Sequence, residues 1–298
     1  MPMKKLIPDS IMQYFQVKPE VGRFELMKAA KISEHDARYY CRLYKSMYKE
    51  AKLVSKGIAA FDYHYPDEDR ASHRVVLKAV EMVKPNHFVF GGDQLHLDCI
   101  SHHNKGKFKL LENKRLIEDY RGFQKNVLDQ IESRLPKNCR KYFMIGNHED
   151  WINRLIEDNP QLEGFMEIEN NLNLSNYTII PLNEILEIGE MNFLHGVYVN
   201  KYHSEKHSRI YQKMLFYGHL HTNQVYTSIA PTTSLPKQAV GVGCLCNKNP
   251  EYTRNKPNDW LHQFLIWYMF DDGTFVYQTP IIIHGKTVIN GTVIDGNK

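Results

Sequence analysis

The stretch YFMIGNHE, residues 142–149, decides how the whole sequence is interpreted. Its first four residues are apolar and predict a short buried strand, and Gly146, Asn147, His148 and Glu149 follow without a gap. In open α/β sheets, ligands bind just beyond the carboxyl ends of the strands. An amide and an imidazole at such an end therefore indicate a functional site.

The same arrangement recurs at four other places along the chain. Short apolar strands are predicted over residues 58–61, 87–90, 192–194 and 213–217. Directly after them come DYH at 62–64, GD at 92–93, HG at 195–196 and GHLH at 218–221. Because strand ends bring distant residues into one cleft, we expect two carboxylates, one amide and several imidazoles to meet there.

This set of side chains contains enough ligands for two metal ions. Mixed nitrogen and oxygen ligands suit Mn, Fe, Zn, Ni or Co better than Mg or Ca. A structural zinc site would use thiolates, and none of the five cysteines is part of these motifs. The cysteine spacing is irregular and fits reduced thiols rather than a disulfide framework.

Helices are predicted between the strands, over residues 68–83, 111–135 and 149–156. Near the end, apolar runs at 264–270 and 274–283 flank Asp271-Asp272-Gly273, which predicts a hairpin. The pattern therefore predicts an α/β fold with a β-rich tail. The chain has 298 residues, and no stretch approaches the roughly 18 apolar residues of a membrane helix. We expect a cytoplasmic protein without a membrane partner; the pattern leaves the oligomeric state open.

The first fifth of the chain differs from the rest in charge and pattern. Residues 1–57 hold 12 Lys and Arg against 6 Asp and Glu, whereas the whole chain has a net charge of only +4. One helix is predicted over residues 21–30, with Val21 and Phe24 among its inward residues. A second helix is predicted over residues 34–48, with Ser33 as its N-cap. This pair resembles a helix-turn-helix. We predict a helical segment at 1–56 and a second domain at 57–298.

The outer face of the second helix interleaves basic and aromatic side chains, as nucleic-acid-binding surfaces do. The candidate nucleic-acid contacts are Arg38, Tyr39, Arg42 and Lys45. Two alternatives stay open, because two-helix units also serve as packing or dimer elements and because a charged helix face is often only solvated.

The ordered set of D-x-H, GD, GNHE, HG and GHxH motifs resembles the calcineurin-like metallophosphoesterase superfamily. The resemblance covers residues 58–221 by motif and continues more weakly to the end of the chain. GNHEDW at 146–151 and the His-rich stretch before Gly218 look like members carried by bacteriophages, which would place the protein in the host cytoplasm. The resemblance implies a four-layer α/β/β/α sandwich for residues 57–298.

Seven motif residues are implied as ligands of two divalent transition metal ions, with Mn placed ahead of Fe, Zn, Ni and Co. They are Asp62, His64, Asp93, Asn147, His195, His219 and His221. The resemblance implies that Asp93 bridges the two ions, that Asp62, His64 and His221 hold the first, and that the other three hold the second.

The resemblance also implies a reaction and a catalytic acid. A metal-bridging hydroxide attacks phosphorus in line, and His148 donates a proton to the leaving oxygen. Many relatives read GDxxD, and the second Asp orients this His. Here His96 stands at that position and the next carboxylate is Asp98. We therefore predict Asp98 as the second catalytic residue, with either Asp98 or His96 as the partner of His148.

Other residues near the motifs receive plainer interpretations. His203 and His207 are four apart and favour a solvated helix face, with a substrate contact as the alternative. Lys105, Lys107 and Lys109 are interpreted as a solvated loop, with a nucleic-acid backbone contact as the alternative. His102 and His103 are interpreted as surface histidines, and Cys244 and Cys246 as residues of a core strand.

These observations predict a two-metal phosphoesterase. A phosphodiesterase or nuclease is favoured over a phosphomonoesterase, because the basic N-terminal segment (the head, residues 1–57) favours a polymeric substrate such as nucleic acid. The expected substrate is nucleic acid or a nucleotide. Three alternatives remain: a phosphomonoesterase on nucleotides or phosphoproteins, a DNA-binding protein whose phosphoesterase fold is silent, and a phosphoesterase whose head serves only for packing.

Overall fold

The computed structural model describes residues 6–48, 51–228, 237–250 and 253–298, except for the side chains of Ser46 and Tyr48. The chain divides into two compact units, residues 1–52 and 53–298. This division lies slightly before the predicted one at 56/57, because the first strand already begins at Leu53 and pairs with the strand that ends at Phe270. Among the described residues, no helix is long and apolar enough to span a bilayer.

The smaller unit contains three described helices: α1 (Asp9–Val17), α2 (Arg23–Ala30) and α3 (Glu34–Tyr48). The sequence predicted the last two and missed α1. Phe15 of α1 stacks on Tyr44 of α3 with ring centroids 4.1 Å apart, so α1 completes the core of this unit. Ser33 caps α3 as predicted, since its hydroxyl accepts a hydrogen bond from the Asp36 N–H at 3.1 Å.

One inward residue of α2 was predicted wrongly. Phe24 is 55% exposed, whereas Leu26 is fully buried in the core. The reason is that α2 begins only at Arg23, whose guanidinium lies 4.6 Å from the Phe24 ring, outside that core.

The turn between α2 and α3 contains a lysine in a conformation that favours glycine. Lys31 has φ 51° and ψ 43°, the left-handed region. A side chain there costs about 1–2 kcal/mol. We expect Lys31→Gly to stabilise the smaller unit by about 0.5–1 kcal/mol, because glycine relieves this strain but adds chain entropy to the unfolded state. Amide hydrogen exchange of α2 and α3 measures the change in stability. Lys28→Gly is the control, because it places glycine inside α2 and should lower the protection of these amides from exchange. Lower protection in Lys31→Gly would contradict the expectation.

The described part of the larger unit is a mixed α/β structure with several sheets. Its strands are β1 (Leu53–Ala60), β2 (His87–Phe90), β3 (Arg140–Met144), β4 (Tyr177–Ile180), β5 (Leu186–Ile188), β6 (Met191–Leu194), β7 (Met214–Tyr217), β8 (Gln224–Ser228), β9 (Lys237–Gly241), β10 (Leu265–Phe270), β11 (Phe275–Gln278), β12 (Lys286–Ile289) and β13 (Thr292–Asp295).

These strands form two larger sheets and one hairpin. The first sheet has the order β11-β10-β1-β2-β3-β4, the second has the order β5-β6-β7-β9-β8, and β12 pairs with β13. In the first sheet β1 to β4 are parallel, and in the second β6, β7 and β9 are parallel. The hairpin predicted at 271–273 is confirmed, because β10 and β11 pair antiparallel around it.

The helices of this unit are α4 (Arg70–Val83), α5 (Phe108–Leu111), α6 (Leu116–Phe123), α7 (Asp129–Glu132), α8 (Asp150–Asp158), α9 (Ile168–Asn171) and α10 (His203–Tyr211). One turn of π-helix, Gln124–Leu128, joins α6 to α7. The single helix predicted over 111–135 is therefore shorter at both ends, and α5 precedes it as a separate turn.

The apolar core is arranged around the two sheets. Trp267 and Val89 of the first sheet share one buried cluster with Phe193 and Phe216 of the second. A separate buried cluster joins the first sheet to α4 and α6, and a small one joins the second sheet to Tyr211 of α10. This packing fixes the sheets relative to one another and so fixes the loops that leave their carboxyl ends.

Candidate metal centre

The predicted ligands lie where parallel strands end. Asp62, Asp93 and Asn147 follow the adjacent strands β1, β2 and β3, so they leave one edge of the first sheet. His195 follows β6, and the stretch 218–221 follows the neighbouring strand β7 of the second sheet. Backbone hydrogen bonds continue between the loops, such as the Asp62 N–H to the Gly92 carbonyl at 3.1 Å.

One group of ligand atoms comes from the loops after β1 and β7. The Nε2 atoms of His64 and His221 are 3.1 Å apart. Asp62 Oδ1 lies 3.4 Å from His221 Nε2 and 3.8 Å from His64 Nε2. All three side chains are buried, so these donors are withdrawn from bulk water.

A second group comes from the loops after β2, β3, β6 and β7. His195 Nε2 lies 3.2 Å from Asp93 Oδ2 and 3.1 Å from Asn147 Oδ1. His219 completes the group, because one of its ring nitrogens lies within 4.8 Å of ligand atoms of His195 and Asp93. Asp93 Oδ2 is also 3.8 Å from His64 Nε2, which makes Asp93 the carboxylate shared by both groups.

Neighbouring imidazoles keep the Asp93 carboxylate ionised. Burial raises the pKa of Asp93, but the imidazoles of His195 and His148 more than offset this effect and hold the pKa well below its usual range. Burial lowers the pKa of His195, yet the Asp93 carboxylate outweighs burial and raises that pKa to about 10. Asp93 is therefore ionised, and it is a suitable oxygen donor for a cation. A cation bound there would displace the proton of His195 and free its ring nitrogen as a donor.

The donor set fits divalent transition metals. Nitrogen and carboxylate donors converge from several loops, a chemistry that suits Mn, Fe, Co, Ni or Zn. His219 Nδ1 is buried and has no hydrogen-bond partner in the described part of the chain, which is costly for a polar atom that serves no ligand. These clusters of His and Asp can hold metal.

Five of the seven predicted ligands have a strained backbone. Their φ angles are 53° at Asp62, 48° at His64, 50° at Asp93, 73° at His219 and 61° at His221. Left-handed conformations of residues other than glycine cost on the order of 1–3 kcal/mol each and concentrate at functional sites. Strain at five residues that share one cleft supports a function for that cleft.

Glu149 organises these loops, a role that the sequence reasoning missed. Its buried carboxylate accepts hydrogen bonds from the N–H groups of Asp93, Gln94, Leu95 and Gly146, at 2.6–3.0 Å. Gly146 is required for this approach, because a Cβ there would overlap the Asp93 carboxylate. The available signal was an acidic residue directly after the GNH motif.

His148 lies at the border of the site. Its Nδ1–H donates to the backbone carbonyl of His96 at 2.7 Å, and its Nε2 is 3.9 Å from Asp93 Oδ2. Burial lowers the pKa of His148, although the Asp93 carboxylate acts in the opposite direction. The neutral ring is therefore favoured, and an anion bound beside Nε2 would oppose this effect.

Asp98, predicted as a catalytic residue, is connected to His148 through His96. Its Oδ1 is 3.1 Å from His96 Nε2, and its other oxygen pairs with Lys114. Although burial opposes ionisation, His96 and Lys114 hold the pKa of Asp98 well below its usual range. Asp98 thus fixes the side chain of His96, whose backbone carbonyl holds His148.

The interpretation of His203 and His207 as a solvated helix face is wrong. Both rings are buried on α10 because they face the second sheet. His203 Nδ1 is 2.6 Å from the Tyr217 hydroxyl, while His207 Nε2 accepts from the Val197 N–H at 3.2 Å and stacks on Tyr217 at 4.1 Å. Their contacts with Val197 and Tyr217 therefore stabilise the two segments that contain His195 and His219.

Two other predictions concern residues around the cleft. Cys244 and Cys246 are buried as predicted, but the prediction of a strand is wrong, because both lie in isolated β-bridges after β9 ends at Gly241. Cys246 Sγ also lies 3.9 Å from His221 Nδ1, a proximity that the sequence did not indicate. In the smaller unit, Arg38, Arg42 and Lys45 are exposed on α3 and Tyr39 is half-buried. Lys105, Lys107 and Lys109 are exposed, as are His102 and His103.

Comparisons with known proteins add distant structural likenesses. No family model and no curated protein matches the chain. Similar solved structures include Vps29 from Cryptosporidium parvum (15% identity, 82% of this chain and 100% of that one, TM-score 0.45). They also include Vps29 complexed with zinc from Entamoeba histolytica (13% identity, 80% and 96%, TM-score 0.42) and the nuclease MPE of Pseudomonas putida (11% identity, 65% and 76%, TM-score 0.30). All three TM-scores are below 0.5.

Proposed function

We propose that residues 53–298 form a two-metal phosphoesterase of the calcineurin-like type, which hydrolyses phosphodiester bonds in nucleic acid or nucleotides. The observation that carries this proposal is the meeting in one cleft of seven carboxylate, amide and imidazole side chains, Asp93 among them, five of which are on left-handed backbone. The layer order supports it as well, because helices pack on the outer face of each sheet, as a four-layer α/β/β/α sandwich requires.

One divalent ion would be held by Asp62, His64 and His221. The other ion would be held by Asn147, His195 and His219, and Asp93 would contact both ions. Such ions would neutralise charge on the phosphoryl oxygens and make a water nucleophilic at neutral pH, with Mn proposed first. The chain itself would supply the rest. His148 Nε2 faces this group of side chains and can hold a proton for the leaving oxygen, while the carbonyl of His96 fixes the ring orientation.

The test is hydrolysis of bis-p-nitrophenyl phosphate and p-nitrophenyl phosphate by the full chain, with Mn, Ni, Zn or EDTA. We expect metal-dependent turnover, faster on the diester. Faster turnover of the monoester would favour the phosphomonoesterase alternative. A folded protein without turnover under any metal would contradict the proposal and leave a binding protein with a silent phosphoesterase fold.

We also propose that the smaller unit binds nucleic acid through α3, in the manner of a helix-turn-helix. The exposed cations Arg38 and Arg42 and the excess of basic residues over 1–57 support this. We expect Arg38→Ala combined with Arg42→Ala to weaken duplex DNA binding about 10-fold or more and to reduce the slope of log affinity against log salt by about 2, since each phosphate contact contributes about 0.9.

The matched control for this experiment is Lys18→Ala, which removes an exposed cation of the same unit outside α3. Fluorescence anisotropy with labelled DNA over a salt series gives both quantities. Unchanged affinity in the double variant would show that the basic face is only solvated.

A further inference from the structure

A cavity of about 510 Å³ opens beside the candidate metal centre. Asn147 and His148 lie in its wall, so it is continuous with the side chains that surround Asp93. The loop 101–114 and Trp151 at the start of α8 form two more walls, and Asp67, Asn247 and Pro250 also line the cavity. The volume lies within the roughly 300–1,000 Å³ that small-ligand pockets occupy. A phosphate ester held at the metal centre would therefore have room for one substituent in this cavity.

One wall of the cavity is aromatic. Trp151 is half-buried, and its ring centroid lies 4.0 Å from that of His148 with the planes inclined by 31°. The rings of His103 and His102 approach the same indole at 6.1 and 6.4 Å. Planar bases stack on such surfaces whatever their sequence, because every base has a π face.

The facing loop contributes positive charge. Lys107 lines the cavity, and its ammonium donates to the neutral Asn104 amide at 3.1 Å, a bond that leaves its charge uncancelled. Lys114 also lines the cavity but pairs with Asp98. The other lining carboxylate, Asp67, lies 4.0 Å from His96. Lys107 is thus the cation best placed to meet a second phosphate.

We infer that this cavity is a nucleotide subsite: a base packs against Trp151, and Lys107 meets the phosphate on the far side of that nucleoside. The inference rests on the proposed function and adds where the nucleoside of its substrate binds. For Lys107 it favours the nucleic-acid backbone contact, which the sequence analysis gave as the alternative to a solvated loop.

The test is binding of AMP, ribose 5-phosphate and adenosine 3′,5′-bisphosphate to the full chain with Mn, by isothermal titration calorimetry. We expect AMP to bind about 5- to 150-fold more tightly than ribose 5-phosphate, the range that base stacking supplies. Trp151→Ala should remove this ratio, and Trp151→Phe, which keeps an aromatic ring, should retain most of it. Because a ratio is compared, a general weakening of the site by the substitution does not affect the result.

Lys107 is tested with the second pair of ligands. The bisphosphate should bind more tightly than AMP, and Lys107→Ala should abolish that advantage. Lys109→Ala, in the same loop but not in the cavity wall, should leave it unchanged.

The outcomes separate this inference from the proposed function. Equal binding of AMP and ribose 5-phosphate, or a base advantage that survives Trp151→Ala, overturns the nucleotide subsite. So does absence of AMP binding while bis-p-nitrophenyl phosphate turnover persists. Absence of both binding and turnover overturns the subsite and the phosphoesterase together.

Discussion

Asp93→Asn should lower metal-dependent phosphodiester hydrolysis at least about 100-fold, because losing even an outer-shell partner of a metal ligand typically costs 10- to 100-fold. Asp93 is the carboxylate shared by the two ligand groups, with one oxygen 3.2 Å from His195 Nε2 and 3.8 Å from His64 Nε2. The amide keeps the shape of the side chain but removes the charge that both groups share. Steady-state kinetics on bis-p-nitrophenyl phosphate with saturating Mn measures the effect.

The matched control is Asp158→Asn, which changes an exposed carboxylate at the end of α8 in the same way. It should leave turnover within a factor of two or so, since surface substitutions rarely matter. Wild-type kinetics in Asp93→Asn would mean that the cleft around Asp93 is not where hydrolysis takes place.

Glu149→Ala should destabilise the larger unit by about 4 kcal/mol or more. Four buried backbone N–H groups would lose their acceptor, and each such loss costs about 1–3 kcal/mol before water or relaxation compensates. Three of those N–H groups, those of Asp93, Gln94 and Leu95, belong to the loop that contains Asp93. We therefore expect weaker metal binding as well as a lower urea midpoint.

Glu157→Ala is the control for Glu149, because Glu157 is an exposed glutamate on α8. Urea unfolding followed by circular dichroism should give a change within about 0.5 kcal/mol for this variant. A loss below about 1 kcal/mol in Glu149→Ala would show that the carboxylate does not support the loops.

The strands of the larger unit that lead to the site were predictable from sequence. Apolar runs such as 87–90 end at once in Gly and Asp, and parallel strands place their carboxyl ends together. This rule predicted that the strand-end residues share one cleft, whereas the placement of His195 with Asn147 followed from the family resemblance. The second sheet's register, by contrast, depends on packing against the first sheet through residues such as Trp267 and Phe193.

The contacts of the supporting residues were missed because the residue type alone does not indicate burial. Glutamate is mostly exposed in proteins and histidine is intermediate, so the buried positions of Glu149 and His207 did not follow from their residue types. Both are buried because backbone N–H groups at the strand ends need acceptors. Likewise, α1 lies before the basic helix pair and was missed, although Phe15 provides much of that unit's core.

The cavity beside the metal centre also lay beyond sequence reasoning. It depends on the loop 101–114, whose short helical turns follow from local contacts such as Asn104 to Asp98 at 2.8 Å. Only the structure brings Lys107 and Trp151 to the same cavity.

The central claim is that two metal ions bind around Asp93. The most direct test is equilibrium dialysis of the full chain against Mn, followed by elemental analysis of the protein. We predict two Mn per chain in the wild type and fewer than two in Asp93→Asn. At most one Mn per wild-type chain, or a count that Asp93→Asn does not change, would contradict the two-metal centre.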